Sequence, residues 1–424
     1  MRILSLTAGA AGMYCGTCMR DNALARELIA QGHDVLLAPI YTPTLTDDVN
    51  VSHERIFFGG ISVYLQQYSS LFRKLPAWLD RIWDSKWMLK MASTNSIPVD
   101  PKLLGELTVS MLRGERGFQR KEVQKMAGWL KEQPQFDVID LPYSLLISLA
   151  EPLKRELRAP VCCTLQGEDL FLNGLQEPWR SECLDLIRAQ IQHADTFIAV
   201  SAYYADFMSG YLSIPREKIQ VVPLGISFQG HEAIPKTSEG RLTVGYFARV
   251  APEKGLHILC EAIALMKEPV ELRAAGFLPA EHRGYLADLQ KRFGFTYEGA
   301  PDREGKIHFL RSVDVLSVPS VYDEPKGIFL FEAMANGTPV VQPRKGAYPE
   351  IVTNTGGGIL VEADNPGSLA EALDELAGDR ARLRSLEAAA ATGVREVYSV
   401  DRMARRTLEV YNSVVRQPAG AGTR

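Results

Sequence analysis

Short apolar runs alternate with helical patterns through most of this 424-residue chain. The runs do not alternate regularly between apolar and polar residues, which is typical of parallel strands buried on both faces. Examples, in chain order, are RILSLTAG, DVLLAPIY, DVIDLP, PVCCTLQG, TFIAVSA, LTVGYFARV, VELRAAG and TPVVQP. A series of strands and helices of this kind predicts an α/β fold with doubly wound parallel sheets.

A polar segment that contains Pro and Gly, residues 229–241, divides the series into two similar halves. The chain is too long for one typical domain, so two domains are expected. We predict two Rossmann-like domains, 1–228 and 242–395, which face each other across a cleft and are joined by this linker. Ligands of such domains bind outside the carboxyl ends of the strands.

Two stretches depart from the alternation. Residues 60–130 predict a largely helical insertion in the first domain, and 61–91 mixes Trp side chains with Lys and Arg. That mixture suits peripheral contact with a membrane surface or with an acceptor, and a helical insertion packed on the first domain is the favoured alternative. Near the end of the chain, 396–417 predicts a last helix and 418–424 predicts a disordered tail.

The overall composition argues against several classes of protein. A net charge of −4 and a pI near 6.1 give no support to nucleic-acid binding. The chain contains no run of eighteen apolar residues, so no segment is predicted to span a membrane. Six cysteines in this length do not make a disulfide framework, which predicts a reducing compartment. We therefore expect a cytoplasmic protein, with peripheral contact at the inner face of a membrane as an option.

Two features invite a chemical interpretation that we do not favour. Cys15 and Cys18 form a CxxC pair where the first helix begins, and a helix N-terminus lowers the pKa of a thiol. No second CxxC completes a zinc site, so we interpret these thiols as packing a tight loop, with a redox role as the alternative. Asp47 and Asp48 lie in a polar loop and are interpreted as solvated, so they predict no metal site.

The most informative motif lies at 324–341 and reads EPKGIFLFEAMANGTPVV. Glu324 and Glu332 have seven residues between them, and an apolar strand, DVLSVPS at 314–320, precedes them. If a helix begins near Gly327, its free N–H groups form an anion site with one carboxylate before the helix and one inside it. This arrangement suits a nucleotide-diphosphate sugar, and the alternative is an ordinary strand–loop–helix with two surface glutamates.

With these residues the chain resembles the family 4 glycosyltransferases, which have the GT-B fold. The Glu–seven–Glu element followed by EAMANGTPVV is the most specific part of the resemblance. Further support comes from GYFARVAPEKG at 245–255, KGAYPEIV at 345–352, VVPLGIS at 221–227 and GHDV at 32–35. The resemblance implies the GT-B arrangement of two domains and a final helix that crosses back onto the first domain.

The resemblance also implies roles for particular residues. Arg249 and Lys254 match the basic pair that binds the donor diphosphate, where fixed cations neutralise the leaving group. Glu332 matches the carboxylate that accepts hydrogen bonds from the donor ribose, and Glu324 matches the one that contacts the sugar hydroxyls. Gly16 matches a glycine that lets the backbone approach the diphosphate. The donor-binding residues implied in this way are Gly16, Gly327, Ile328, Phe329 and Glu332.

Gln166 departs from the pattern of the family. A histidine usually stands in this loop, in a sequence such as TLHG, whereas here the loop reads TLQGED at 164–169. An amide can hydrogen-bond a sugar hydroxyl but does not titrate near neutral pH. The two acids of the loop, Glu168 and Asp169, are candidates for contact with the acceptor. The candidate catalytic residues are Arg249, Lys254, Glu324 and Gln166.

The sequence therefore predicts a retaining hexosyltransferase that uses a nucleotide-diphosphate sugar, with the acceptor left open as a glycan, a lipid-linked sugar or a small molecule. Front-face attack, which the resemblance implies, needs a neutralised leaving group and exclusion of water but no protein nucleophile. No Asp-x-Asp motif follows a strand, so no metal or other cofactor is predicted. Two alternatives remain: an inactive GT-B protein that binds nucleotide sugars, which Gln166 favours, and a sugar-nucleotide epimerase, which the missing histidine disfavours.

Overall fold

The chain forms two compact units. The computed structural model describes residues 1–9, 16–46, 48–58, 63, 66–67, 101–234, 236 and 240–416, with only the backbone at 101. The first unit contains Met1–Val200, Tyr204–Pro223 and Met403–Arg424, and the second contains Ser201–Tyr203 and Leu224–Arg402. The last segment of the chain therefore belongs to the same unit as its beginning.

The first unit is built on a parallel sheet. Its strands are β1 (Arg2–Thr7), β2 (Asp34–Pro39), β3 (Val138–Leu141), β4 (Val161–Leu165), β5 (Thr196–Ala199) and β6 (Ile219–Val221). They form a six-stranded sheet in the order β2-β1-β3-β4-β5-β6, and the paired strands are parallel. Every residue of β3 and β4 is buried, which explains why these segments are apolar except at Asp140 and Thr164.

Helices connect these strands. They are α1 (Gly16–Ala30), α2 (Pro101–Leu112), α3 (Arg120–Lys131), α4 (Ala150–Leu157), α5 (Asp169–Asn173), α6 (Trp179–Gln190) and α7 (Ala202–Leu212). Short 3-10 turns occur at Gly114–Arg116, Ser144–Leu149, Ile191–His193 and Arg216–Lys218. Helices α1, α3, α4 and α7 each bury residues at helical spacing, as in a doubly wound fold.

The predicted insertion is helical where the structure describes it. Helices α2 and α3 occupy its second half, and most of 61–91 lies outside the described residues. Val63, Gln66 and Gln67 are described and buried. The Gln66 side-chain amide donates to Glu122 of α3 at 2.6 Å. These contacts attach that part of the insertion to the first unit, and the prediction of membrane or acceptor contact through 61–91 stays a prediction.

The second unit repeats the architecture. Its strands are β7 (Leu242–Phe247), β8 (Val270–Ala275), β9 (Thr296–Tyr297), β10 (Val315–Leu316), β11 (Val340–Pro343) and β12 (Gly358–Val361). The helices are α8 (Leu256–Leu265), α9 (Arg283–Phe293), α10 (Arg303–Ser312), α11 (Ile328–Ala335), α12 (Tyr348–Thr355), α13 (Pro366–Gly378) and α14 (Arg380–Val397), with 3-10 turns at Pro252–Lys254 and Ala280–His282. The predicted α/β fold of two Rossmann-like sheets is confirmed.

The strand order of the second sheet determines where a ligand can bind. The order is β12-β11-β10-β7-β8-β9, and the paired strands are parallel. The chain moves outward from β7 in one direction and from β10 in the other, so the order reverses between these two strands. In open α/β sheets this reversal opens a crevice at the carboxyl ends, where ligands bind. The loops that follow β7 and β10 therefore lie at the expected ligand site.

Strand β10 is much shorter than the apolar run that predicts it. The run DVLSVPS covers 314–320, but only Val315 and Leu316 have strand geometry. Ser317 still donates its N–H to Gly245 of β7 at 2.9 Å, and the chain then leaves the sheet. Pro319 has no N–H with which to extend a ladder. The remainder of the run is a buried loop that leads toward Glu324.

The last helix, α15 (Val400–Val415), ends in the first unit. Its buried residues recur at helical spacing and are Met403, Ala404, Thr407, Val410, Tyr411 and Val414. The Tyr411 hydroxyl donates to Asp140 of β3 at 2.9 Å, so this helix reaches the sheet itself. No helix in the described part of the chain is both long and apolar enough to cross a lipid bilayer.

Candidate functional site

The loops that follow β7 and β10 bring Lys254 and Glu324 into direct contact. The Lys254 ammonium lies 2.7 Å from a carboxylate oxygen of Glu324, and both side chains are largely buried. Lys254 also hydrogen-bonds the Tyr322 hydroxyl, which in turn donates to the same Glu324 oxygen at 2.5 Å. The three groups therefore form a closed triangle of hydrogen bonds at the predicted ligand site.

Aromatic rings complete the environment of Lys254. Its ammonium lies 4.7 Å from the ring centroid of Tyr322 and 5.7 Å from that of Phe329. Ring faces attract cations, and the attraction is stronger where water is excluded. The ammonium is therefore held by one carboxylate, one hydroxyl and two rings while it remains close to the N-terminus of α11.

The pKa of Glu324 reflects the balance between burial and pairing. Burial alone would raise the pKa of this carboxyl, but the charge and hydrogen bond of Lys254, together with Tyr322 and Lys326, hold it below its ordinary value. Burial raises the pKa of the Tyr322 hydroxyl, and the Glu324 charge raises it further. At neutral pH the carboxylate is therefore ionised, and the phenol keeps the proton that it donates.

A glycine turn places Lys254 on this loop. The 3-10 turn Pro252–Lys254 ends at Gly255, which has a φ of +74°. A Cβ at Gly255 would lie 1.9 Å from the Pro319 carbonyl oxygen, so only glycine fits there. The Val321 N–H also donates to the Glu253 carbonyl at 2.9 Å. The two loops are thus joined by backbone contacts, which fix the position from which Lys254 reaches Glu324.

Arg249 lies on the same loop but in a different environment. Its guanidinium is about half exposed and lies 2.6 Å from a carboxylate oxygen of Glu253, four residues along the loop. The backbone beneath it is fixed, because its carbonyl accepts a hydrogen bond from Tyr246 at 3.2 Å. The side chain is therefore free to turn toward an anion at the loop, at the cost of an exposed ion pair that contributes little.

Helix α11 begins directly after the Lys254–Glu324 pair. Gly327 caps it with a φ of +63°, a left-handed conformation that favours glycine. Helix geometry leaves the N–H groups of Ile328 and Phe329 without intrahelical acceptors. These N–H groups and the positive end of the helix lie beside a bound ammonium, which is a suitable surrounding for an anion.

Glu332, inside α11, also has a cationic partner. The Lys306 ammonium of α10 lies 2.6 Å from its carboxylate, and both side chains are about nine-tenths buried. The Glu332 backbone carbonyl accepts a hydrogen bond from Asn336 at 2.9 Å. Neither Glu324 nor Glu332 is therefore a surface glutamate, and that alternative reading of the motif is wrong.

Gln166 of the first unit is held from several sides. Its backbone N–H donates to Glu168 at 2.8 Å, and its side-chain amide donates to the Pro142 carbonyl at 2.7 Å. A longer contact of 3.4 Å joins the same amide nitrogen to Asp21. The side-chain oxygen is buried, and no described residue hydrogen-bonds it. An orphan acceptor of this kind is costly unless water or a ligand hydroxyl binds it.

Glu168 and Asp169 face their own unit. Glu168 accepts hydrogen bonds from the backbone and hydroxyl of Ser144 at 3.1 and 2.9 Å, and Asp169 accepts from the Tyr204 hydroxyl at 2.6 Å. Both acids are buried. We therefore assign to Glu168 the role of shaping the loop at Gln166, since its other oxygen accepts the Gln166 N–H.

Beside Gln166 lies a buried charged cluster that the sequence did not predict. Arg20 of α1 lies 3.1 Å from Asp21, and Asp140 accepts hydrogen bonds from Thr164 at 3.1 Å and from Tyr411 at 2.9 Å. Burial raises the pKa of Asp21 to about 6, against the opposing charge of Arg20 and with help from that of Asp140. Burial likewise raises the pKa of Asp140. The cluster carries a proton-binding group with a pKa close to the physiological range.

The remaining predicted residues fall at the start of the first unit. Gly16 begins α1. Cys18 is a buried residue of α1, while Cys15 lies outside the described residues. Asp48 forms an ion pair with Arg26 of α1 and is not simply solvated, which corrects that interpretation, and Asp47 lies outside the described part. Among the described residues no group of three or more His, Cys, Asp and Glu could hold a metal ion.

Tyr322 and Lys306, which contact the two glutamates of the motif, were not predicted from the sequence. Tyr322 lies only two positions before Glu324, so its proximity in sequence was an available signal. Lys306 lies four residues before Leu310 on α10, and a lysine on the apolar stripe of a helix indicates a buried partner. The sequence could not identify that partner, because Glu332 lies 26 positions further along the chain.

Comparisons with known proteins show the family of the chain. A family model described as glycosyl transferases group 1 matches residues 229–392, and one described as glycosyltransferase family 4 matches residues 105–229. A relative described as an uncharacterized glycosyltransferase of Methanocaldococcus jannaschii is 30% identical over 69% of this chain and 79% of its own length.

Solved structures show the same architecture. A sucrose-phosphate synthase from Thermosynechococcus elongatus superposes with a TM-score of 0.72 at 19% identity, covering 97% of this chain and 98% of its own. The Anabaena protein HepE, solved in complex with UDP and glucose, superposes with a TM-score of 0.66 at 18% identity, covering 97% of this chain and 100% of its own. At these identities the likeness concerns the fold.

Proposed function

The chain belongs to the family 4 glycosyltransferases, and from this premise we propose that it transfers a sugar from a nucleotide-diphosphate sugar with retention of the anomeric configuration. Its two parallel six-stranded sheets are those of the GT-B fold, and it is a glycosyltransferase. The class of donor, the stereochemical outcome and the residues that act are what we propose beyond the family.

One observation carries the proposal. A buried ammonium, Lys254, and a buried carboxylate, Glu324, meet at the carboxyl ends of β7 and β10, where the strand order reverses. The N-terminus of α11 follows directly. A cation and free N–H groups suit a diphosphate, and a carboxylate beside them suits sugar hydroxyls. A nucleotide-diphosphate sugar has both chemical groups next to each other.

The proposed roles follow from these positions. Lys254 and Arg249 neutralise the diphosphate as the bond to the sugar breaks, which is the step at which charge develops on the leaving group. Ile328 and Phe329 offer their N–H groups to the same phosphates. Glu324 accepts hydrogen bonds from hydroxyls of the transferred sugar. Glu332 accepts them from the ribose, and Gly16 and Gly327 allow the backbone to approach.

We propose a uridine nucleotide as the first donor to test. The support is the likeness in fold to HepE, which was solved with UDP-glucose as well as with UDP. The base remains a separate question from the diphosphate, because the residues described above contact phosphates, ribose and sugar. The acceptor is proposed to be a sugar or polyol hydroxyl, either free or lipid-linked, and both kinds belong in the assay.

The experiment that tests the function is a nucleotide-diphosphate release assay. Purified protein is supplied with UDP-, GDP- and ADP-sugars, with and without free and lipid-linked acceptors, and the configuration of the product linkage is read by NMR. We expect one donor series to release its nucleotide diphosphate faster with an acceptor than without, and to give a product of unchanged configuration.

A matched pair of variants makes this assay specific. Lys254→Met should abolish most of the release, whereas Arg273→Met should not, although Arg273 also forms an ion pair in the second unit, 2.6 Å from Glu298. Inverted configuration in the product would reject the retaining mechanism. Binding of nucleotide without release from any donor would favour the inactive GT-B protein, for which the amide at Gln166 is the supporting observation.

A further inference from the structure

Glu324 takes two hydrogen bonds on one oxygen, and Lys254 supplies only one of them. The Lys254 ammonium lies 2.7 Å from Oε2 of Glu324, and the Tyr322 hydroxyl lies 2.5 Å from the same atom. Lys254 also donates to the Tyr322 oxygen. Two of the three N–H groups of the ammonium therefore bind protein atoms of this triangle.

Binding of a diphosphate must disturb this triangle. An ammonium that turns toward a phosphate oxygen gives up part of its contact with Glu324. A buried carboxylate that loses a charged donor is left with an unsatisfied acceptor, which is expensive in a water-poor site. The site needs a second donor that stays with Glu324 while Lys254 moves.

We infer that Tyr322 is a positioning residue that keeps Glu324 hydrogen-bonded while Lys254 is transferred to the donor diphosphate. This inference rests on the proposed function. The Tyr322 ring also contributes, because its face lies 4.7 Å from the ammonium and guides it independently of the hydroxyl. The hydroxyl and the ring therefore have separable roles.

The test compares how strongly the outer phosphate is bound. Calorimetry gives the dissociation constants of UDP and UMP, of GDP and GMP, and of ADP and AMP for the native protein. The ratio within the best-binding pair isolates the outer phosphate, because base, ribose and inner phosphate are the same in both ligands. Lys254→Met defines the ratio that remains when the ammonium is absent.

Two substitutions at Tyr322 separate its roles. Tyr322→Phe keeps the ring and removes the hydroxyl, and we expect the diphosphate preference to fall about tenfold while the monophosphate dissociation constant stays within about twofold. Tyr322→Leu removes both groups and should bring the ratio close to that of Lys254→Met. Retained monophosphate binding also shows that each variant is folded.

Tyr285→Phe is the matched control. The Tyr285 hydroxyl also contacts two atoms, the backbone and ring nitrogens of His257 at 3.1 and 3.0 Å, elsewhere in the second unit. Its removal should leave the ratio unchanged. A native ratio in Tyr322→Phe would overturn the inference. If the native protein bound none of the six nucleotides, that result would contradict the proposed function itself, and the inference about Tyr322 would be rejected for that reason.

Discussion

Single residues at the donor site differ in how firmly the fold holds them. Lys254 is largely buried and has three kinds of partner, whereas Arg249 is about half exposed and pairs only with a neighbouring surface glutamate among the contacts described. We expect Lys254→Ala and Arg249→Ala each to lower turnover about a hundred- to thousandfold, because each removes about 3–4 kcal/mol of leaving-group stabilisation.

Steady-state turnover with a saturating donor, alongside a thermal melt, checks this prediction. Arg273→Ala serves as the control for loss of a cation from the same unit. Near-native turnover in both site variants would mean that the loop after β7 does not contact the diphosphate.

The two glutamates of the motif have different partners and should divide their work. Glu332→Gln should weaken binding of the nucleotide diphosphate alone, whereas Glu324→Gln should impair sugar transfer more than nucleotide binding. The reason is that Glu324 lies before α11, while Glu332 lies inside the helix and pairs with Lys306. The measurement compares, for each variant, the dissociation constant of the nucleotide diphosphate from calorimetry with the rate of sugar transfer. Equal losses of nucleotide affinity would contradict this division.

The side-chain oxygen of Gln166 is a buried acceptor that no described residue of the chain hydrogen-bonds. Gln166→Ala should lower the transfer rate by the equivalent of about 1–3 kcal/mol, because a hydroxyl that binds this oxygen would lose its partner. Gln166→His should retain measurable activity, since the family has an imidazole at the matching place. Initial rates with donor and acceptor present decide the matter. An unchanged rate in Gln166→Ala would place the reacting sugar elsewhere.

At the scale of elements, α1 carries a buried acid into the first unit. The pKa of Asp21 is raised from 3.8 to about 6, so the folded chain binds this proton more tightly than the unfolded chain does. The stability that it contributes is complete below about pH 4 and is lost as the pH rises through about 6. The loss amounts to about 3 kcal/mol, since one pKa unit is about 1.4 kcal/mol.

Denaturant unfolding between pH 4 and 7 measures this effect. Asp21→Asn should flatten the fall in stability across that window, although Asp140 in the same cluster will retain its own contribution. Asp185→Asn, on an exposed position of α6, is the control and should leave the slope as it is in the native protein. If the slope of the unfolding free energy against pH were the same in Asp21→Asn as in the native protein, a group other than Asp21 would be the one that binds the proton.

The elements also show how far the sequence could predict the structure. Buried parallel strands have a strong pattern, so both sheets were expected from their apolar runs. The length of β10 was not expected. Val318 and Pro319 are apolar and suggest a longer strand, but they lie in a loop, because Pro319 has no N–H that could continue the hydrogen bonds of the sheet. The Glu–seven–Glu motif predicted one carboxylate before α11 and one inside it, since these residues are close in sequence. Lys306 and the inward-facing amide of Gln166 depend on long-range partners that no local pattern identifies.

At the scale of the whole molecule, the first unit is completed by the end of the chain. The Tyr411 hydroxyl of α15 and the Thr164 hydroxyl both donate hydrogen bonds to Asp140 of β3. We expect Tyr411→Phe to destabilise the first unit by about 1–3 kcal/mol, because a buried carboxyl loses a hydrogen bond. Hydrogen exchange should quicken in peptides that cover β3 and β4 but not in those that cover β7 and β8.

A tyrosine of the second unit provides the reverse control. Tyr297 of β9 donates to the Gly276 carbonyl at 2.7 Å, so Tyr297→Phe should quicken exchange in the second unit alone. If hydrogen exchange became faster to the same extent in both units after Tyr411→Phe, the two units would unfold together as one cooperative block.

The pairing of charges at the donor site has a consequence for how a ligand arrives. Three cations of the second unit, Arg249, Lys254 and Lys306, each lie within 2.7 Å of a carboxylate oxygen. Each such pair is electrically balanced and projects little field into solution beyond a Debye length of about 8 Å. The association rate constant for a dianionic donor should therefore depend only weakly on ionic strength. The diphosphate is then selected only on contact, when the Lys254 ammonium exchanges Glu324 for a phosphate oxygen.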